Sequence, residues 1–213
     1  MQFGINELFI IFMLYSFFGW MGEMLGKLIF EGKYINRGFL IGPYCPIYGC
    51  GGILLIILLK KYFYDPLTMF IMCILLFSIL EYLTSYIMEK LFNARWWDYT
   101  KYKFNINGRI CLETMIPFGM FGIIAMYIVN PFFYKCFNNM PNELINIISL
   151  FLLIIFITDL IVSIFIMINI KNTIKKVKLD NTEEITNIVK ELLLKKNVLK
   201  RRIIKAFPKL KIK

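Results

Sequence analysis

Hydrophobic residues in this chain fill five long runs almost completely, in contrast to the alternation of a half-buried strand or the single stripe of a surface helix. A helix needs ~20 apolar residues to cross the hydrocarbon core of a bilayer. The pattern therefore predicts an all-α, polytopic membrane helix bundle over residues 1–170. Its five predicted spans are Leu8–Phe30, Ile47–Phe63, Leu67–Leu91, Ile110–Phe133 and Leu144–Ile170.

Composition supports the membrane assignment. The chain has 213 residues, of which 59% are hydrophobic, and a mean hydropathy of +0.66. A soluble domain of this length would need more polar side chains to cover its surface.

The basic residues predict an orientation. Connections rich and poor in Lys and Arg alternate along the chain, and basic connections stay on the cytoplasmic side. We expect the N-terminus outside and the C-terminus in the cytoplasm. The connections Glu31–Pro46 and Phe92–Gly108 would then share the cytoplasmic face.

A basic tail follows the last predicted span. Residues 171–213 hold fourteen basic and four acidic side chains, a net charge of +10 within the +11 of the whole chain. Apolar residues recur there at close to helical spacing, which predicts a basic amphipathic helix. Such a helix is expected to lie on anionic membrane lipids. Docking of a partner protein is the less favoured alternative, and no nucleic acid is expected.

The residues that build cofactor and metal sites are scarce. The chain has no His, and its five Cys show no CxxC spacing, so we predict no metal site and no cofactor. The stretch Gly22–Leu28 lacks the spacing and the hydroxyl residue of a phosphate-binding loop. Neither a catalytic residue nor ATP hydrolysis by this chain is predicted.

Two acidic residues within the predicted spans are the main candidate site. Glu23 and Glu81 each lie on a polar stripe of a predicted helix, and charged residues inside a membrane usually face a bundle interior or an aqueous cavity. Arginines arrive from the same side as natural partners. A substrate or ion site and a purely structural clamp both remain open. The predicted polar cluster comprises Glu23, Arg37, Glu81, Arg95, Asp98 and Arg109.

The connection before the second span is unusually rich in Gly and Pro. Proline and glycine interrupt regular helix, and irregular backbone at membrane depth must be enclosed by protein or by water. We predict a re-entrant or tightly packed turn; a packed turn without function is the alternative. Its residues are Gly38, Gly42, Pro43, Tyr44, Pro46, Tyr48 and Gly49.

Three glycines of the first span are spaced to form one small-residue face. Gly19, Gly22 and Gly26 would let another helix approach closely. We therefore predict helix packing there.

Five ordered motifs resemble the family of putative ABC-transporter permeases called CmpB-like, over roughly residues 9–125. The resemblance implies a bacterial cell-membrane protein with a transport role. The motifs are "FMLYSFFGWMGE" (Phe12–Glu23), "NRGFLIGPYCPIYGCG" (Asn36–Gly51), "EYLTSYIMEKLF" (Glu81–Phe92), "RWWDY" (Arg95–Tyr99) and "FNINGRICL" (Phe104–Leu112).

Three functions agree with these features. The first is the membrane subunit of a transporter, working with a separate ATPase subunit or as a homo-oligomer. The second is an intramembrane enzyme that acts on lipid headgroups. The third is a scaffold or regulatory protein without catalysis.

Overall fold

A computed structural model describes residues 2–32, 39–92, 94–176 and 211–212, and within these residues the fold is a helix bundle. The predicted all-α class is confirmed. Among the described residues, four stretches are long and apolar enough to cross a membrane: Ile5–Ile29, Pro66–Phe92, Leu112–Asn138 and Asn142–Asn169. The helices are α1 (Ile5–Glu31), α2 (Pro46–Leu59), α3 (Pro66–Phe92), α4 (Leu112–Ile124), α5 (Asn130–Asn138) and α6 (Asn142–Lys176).

Side-chain contacts give the relative directions of the helices. Helices α1 and α6 run parallel, since Asn6 bonds to Asn146 and the rings of Phe12 and Phe156 meet further along. Helix α2 returns antiparallel to α1, and α3 runs antiparallel to α2. The C-terminal ends of α1, α3 and α6 and the start of α4 therefore share one end of the bundle. We refer to it as the α3–α4 end.

The second predicted span is the one that is not found among the membrane-crossing stretches of the described residues. Helix α2 has 14 residues and continues into a single 3₁₀ turn, Lys60–Tyr62. At ~1.5 Å per residue it is about 21 Å long, short of the ~30 Å hydrocarbon core. The helix begins only at Pro46 because Pro43 and Pro46 cannot supply backbone donors to an earlier turn. Non-helical chain before Pro46 supplies the missing depth.

The fourth predicted span is interrupted. Helix α4 passes through a π-helical turn, Ala125–Val129, before it continues as α5. Just after this turn lies Asn130, which is fully buried and accepts a hydrogen bond from the Tyr15 hydroxyl at 2.7 Å. The turn thus coincides with a polar contact between the fourth span and α1.

Glycines let the helices pack closely. A Cβ at Gly19 would lie 2.2 Å from the Tyr48 ring, and one at Gly49 would lie 2.3 Å from the Ser16 hydroxyl oxygen. Helices α1 and α2 therefore meet at backbone distance, which only glycine permits. The outward faces carry exposed apolar side chains such as Ile79, Ile147 and Phe151, as expected of surfaces in contact with lipid.

Short strands follow α3 at its end of the bundle. Strand β1 (Ala94–Arg95) pairs with β4 (Lys211–Ile212), and β2 (Asn105–Ile106) pairs with β3 (Ile110–Cys111) in a hairpin. Positive φ angles at Asn107 and Gly108 close this hairpin. The predicted amphipathic helix of the tail lies outside the described residues, so it remains a prediction.

Candidate functional site

Non-helical backbone enters the bundle at the segment Phe39–Cys45, which we call the inserted segment. The backbone amide of Cys45, the last residue of this segment, donates to the carbonyl oxygen of Ser16 at 2.8 Å. Ser16 lies about halfway along α1. The Tyr44 amide donates to the Gly42 carbonyl at 2.9 Å, across Pro43. The segment therefore lies deep in the bundle with these backbone donors satisfied by protein.

Two further amide groups of the inserted segment bind Asp159 of α6. Ile41 and Gly42 donate their backbone N–H groups to the two carboxylate oxygens at 2.9 and 2.7 Å. The Tyr44 hydroxyl adds a 2.6 Å bond, and Ser163, one turn along α6, adds another at 2.9 Å. Four donors on one carboxylate make a strong, charge-assisted attachment. Asp159 thus joins the inserted segment to the last span.

A second group of carboxylates comes from α1 and α3. Glu23 of α1 accepts a 2.8 Å hydrogen bond from the Tyr48 hydroxyl, and Glu81 of α3 accepts one at 3.1 Å from the Tyr99 hydroxyl. The two carboxylates are close enough for their charges to interact. We call these four residues the carboxylate cluster. Glu23 and Glu81 are therefore within electrostatic range of each other.

One side of the carboxylate cluster is incompletely paired. Glu81 is 7% exposed and Ser78, one turn earlier on α3, is 5% exposed. Within the part of the chain that the structure describes, neither Glu81 Oε2 nor Ser78 Oγ has a hydrogen-bond partner. Buried polar atoms are normally paired, so these two oxygens on one helix face call for a physical reason.

Arg95 and Arg109 of the predicted polar cluster contact a different acid of α3, Glu89. Glu89, two turns beyond Glu81, contacts Arg109 Nη2 at 2.8 Å and Arg95 Nε at 3.3 Å. Arg95 also lies 3.7 Å from Asp98, and Arg109 donates to the Ser85 hydroxyl at 3.2 Å. Arg95 and Arg109 were expected as partners of Glu23 and Glu81, but both guanidinium groups contact Glu89 instead. We call this set the arginine layer.

The hairpin connection holds the arginine layer in place. Trp97 Nε1 donates to the Arg109 carbonyl at 3.0 Å, and the Tyr99 amide donates to the Gly108 carbonyl at 2.9 Å. The Arg109 guanidinium also lies 5.4 Å from the ring centre of Tyr86. These contacts direct the Tyr99 hydroxyl towards Glu81. Burial, followed by the nearby Glu81 carboxylate, raises the pKa of Tyr99, so its hydroxyl remains a protonated donor.

Other predicted site residues have different positions. Pro46, Tyr48 and Gly49 belong to the first turn of α2 and not to the irregular segment. Arg37 and Gly38 lie outside the described residues.

The predicted glycine face is divided. Gly19 packs against Tyr48, whereas a Cβ at Gly22 or Gly26 would meet no atom within 4 Å. Within the described part of the chain, only Gly19 of the three is used for helix packing. Packing of another chain on Gly22 and Gly26 remains a prediction.

Sequence reasoning did not assign three residues that the structure places at these contacts. Asp159 was visible as an acid one turn before Ser163 but had no assigned partner. Glu89 lies on the same stripe as Glu81, and Tyr99 lies within "RWWDY". The stripe was a usable signal for Glu89. No local pattern points from Asp159 to Ile41, which is 118 residues away.

Comparison with known proteins gives a family. The family model described as "Putative ABC-transporter type IV" (ABC_trans_CmpB) matches residues 10–164. No curated protein and no solved structure matches. Since the match covers more than half of the chain, the protein belongs to this family, and the predicted resemblance is confirmed. The match extends beyond the expected limit near residue 125 and includes Asp159 and Ser163.

Proposed function

We propose that this member of the ABC_trans_CmpB family is the membrane subunit of a transport system, with the carboxylate cluster beside the transported path. The observation that carries the proposal is the buried Glu81 of α3, whose carboxylate interacts electrostatically with the partly buried Glu23 of α1. Acids at such depth are costly to insert and mark substrate or ion pathways by default. The family assignment supports a transport role independently of this geometry.

The contrast with the arginine layer supports a path beside the carboxylate cluster. A structural clamp is expected to neutralise its acids with basic side chains, as Glu89 does with Arg95 and Arg109. Glu81 instead accepts one hydrogen bond from a neutral tyrosine. Its carboxylate is therefore suited to interact with a group that arrives from outside the chain.

We assign the energy source to a separate ATPase subunit that binds the α3–α4 end. Two aromatic side chains of the connection there, Tyr102 and Phe104, are 43% and 80% exposed. Exposed aromatic residues are enriched at the centre of protein interfaces. A homo-oligomer is the alternative assembly, for which Gly22 and Gly26 offer a close-packing face.

We further propose that the α3–α4 end is cytoplasmic in a bacterial cell membrane and that the N-terminus is outside, following the basic connections. Single cysteines at Lys101 and Tyr64 test this orientation in a cysteine-free background. An impermeant thiol reagent applied to intact cells should label the cysteine at position 64 and leave the one at position 101 unlabelled. The reverse labelling would invert the orientation.

Co-purification tests the transport proposal. The tagged chain, extracted gently from its native membrane, should carry an ATPase subunit that mass spectrometry identifies. Phe104→Ser should reduce its yield, since the change removes an exposed aromatic contact at the α3–α4 end. Tyr64→Ser is the matched control, because Tyr64 is 95% exposed at the opposite end. Purification of an intact chain without any ATPase, or equal loss with both variants, would contradict the proposal.

A further inference from the structure

The buried face of α3 presents oxygen atoms that the described protein leaves without partners. Ser78 and Glu81 are at positions i and i+3, so they are neighbours on one helix face. Both are more than nine-tenths buried, and Ser78 Oγ and Glu81 Oε2 have no hydrogen-bond partner among the described residues. An unpaired buried carboxylate oxygen is more costly than an unpaired neutral group. A bound group that satisfies both oxygens would remove this cost.

The surrounding charges select the sign of that group. Glu81 and Glu23 are both acidic and interact electrostatically, and each already receives a tyrosine hydroxyl on one oxygen. Adding an anion here would increase the repulsion. A cation is favoured by Coulomb attraction, which is stronger inside a bundle than in water.

The ligand type selects the class of cation. Carboxylate and hydroxyl oxygens are hard ligands, and they suit alkali and alkaline-earth ions better than soft metals. Calcium takes about 6–8 oxygen ligands, and magnesium keeps several bound waters. A buried site with few side-chain oxygens supplies neither the ligands for calcium nor the space for hydrated magnesium. A monovalent ion has a smaller dehydration cost, and its single charge matches the one carboxylate, Glu81, that has an unpaired oxygen.

We propose that Ser78 and Glu81 of α3, with Glu23 of α1 within electrostatic range, form a binding site for a monovalent cation of the sodium type. The site uses the same carboxylate cluster as the proposed transport function and rests on it for its role in a transport cycle. Binding itself requires neither an ATPase nor a transported substrate. The ion would neutralise charge on Glu81 and give a partner to both unpaired oxygens of α3.

Melting of the purified chain in detergent tests this site, with sodium chloride compared with choline chloride at equal ionic strength. Any ligand that binds the folded state raises the melting temperature in a saturable way. Sodium should therefore raise it for the wild type, while choline should not. Ser78→Ala should weaken the apparent sodium affinity about tenfold, since one ligand to a charged group is lost. Glu81→Gln should abolish the sodium effect.

Ser16→Ala is the matched control. Ser16 is a fully buried serine of α1 whose hydroxyl already bonds to the Phe12 carbonyl of its own helix. It should keep the sodium affinity of the wild type. Equal melting of the wild type in sodium and choline would overturn the proposal, as would equal weakening in Ser78→Ala and Ser16→Ala.

The outcomes for the two proposals are separable. A sodium shift without a co-purifying ATPase would preserve the cation site and contradict the transport complex. An ATPase complex whose chain melts identically in both salts would preserve the transport proposal and contradict the cation site. Should Glu81→Gln fail to accumulate, Ser78→Ala and Ser16→Ala decide the question by themselves.

Discussion

Glu89 and Glu81 lie two turns apart on one face of α3, yet their surroundings are opposite. Glu89 contacts two arginines at 2.8 and 3.3 Å, whereas Glu81 accepts a single hydrogen bond from Tyr99. Asp159, on α6, is a third case, with four hydrogen bonds from backbone and hydroxyl donors. An acid in a membrane bundle can therefore be fixed by charge, fixed by hydrogen bonds, or left partly open. Only the last arrangement leaves room for a ligand.

The largest expected loss of stability follows from Glu89→Gln. The change leaves Arg95 and Arg109 without their shared counter-charge, and breaking a buried ion pair on one side typically costs about 3–5 kcal/mol. Membrane abundance and the melting temperature in detergent should both fall. A second change, Arg109→Met, should recover part of the loss by removing one uncompensated charge. Wild-type stability of Glu89→Gln would show that the arginine layer is not a structural clamp.

Asp159→Asn should have an intermediate effect. The Asn side chain offers one acceptor oxygen in place of the two carboxylate oxygens of Asp159. A donor of the inserted segment therefore loses its partner, at a cost of about 1–3 kcal/mol. The segment should then detach more often, and thiol reagents should modify Cys45 faster when it is the only cysteine. Ser163→Ala is the control, because it removes one donor and leaves both backbone bonds. Unchanged reactivity of Cys45 would mean that Asp159 does not hold the segment.

The smallest effect on the single chain is expected for Gly22→Leu. Nothing in the described chain lies within 4 Å of a Cβ at this position, so the fold of one chain should tolerate the larger side chain. If a second helix packs there, the variant should lose assembly, which native mass spectrometry detects as a lower oligomeric state. Gly19→Leu should instead destabilise the chain itself, since Tyr48 occupies that space. Unchanged assembly in Gly22→Leu would assign this face to lipid.

The sequence predicted the spans well because long apolar runs give both the position and the length of a helix. The third run, Leu67–Leu91, differs by one residue at each end from α3. The run Ile47–Phe63 was less informative, because hydropathy does not distinguish helix α2 from the 3₁₀ turn after it.

The candidate site was only partly predictable, since periodicity gives the face of a helix but not its neighbour. Glu23 and Glu81 were predicted to lie on inward stripes, and in the structure their carboxylates interact electrostatically. Whether the arginines contact Glu89 or Glu81 depends on how the hairpin of β2 and β3 folds back onto α3. The bond from Ile41 to Asp159 depends on tertiary packing across 118 residues.

Glu81→Gln tests most directly the claim that the carboxylate cluster serves function and the arginine layer serves stability. Its membrane abundance, melting temperature and ability to reverse the phenotype of a deletion strain should be measured beside Glu89→Gln, with the exposed-end variant Glu143→Gln as control. Since Glu81 has no basic partner among the described residues, its loss should change stability by less than about 1 kcal/mol. The account predicts normal abundance of Glu81→Gln without function. Full function, or an instability equal to that of Glu89→Gln, would contradict it.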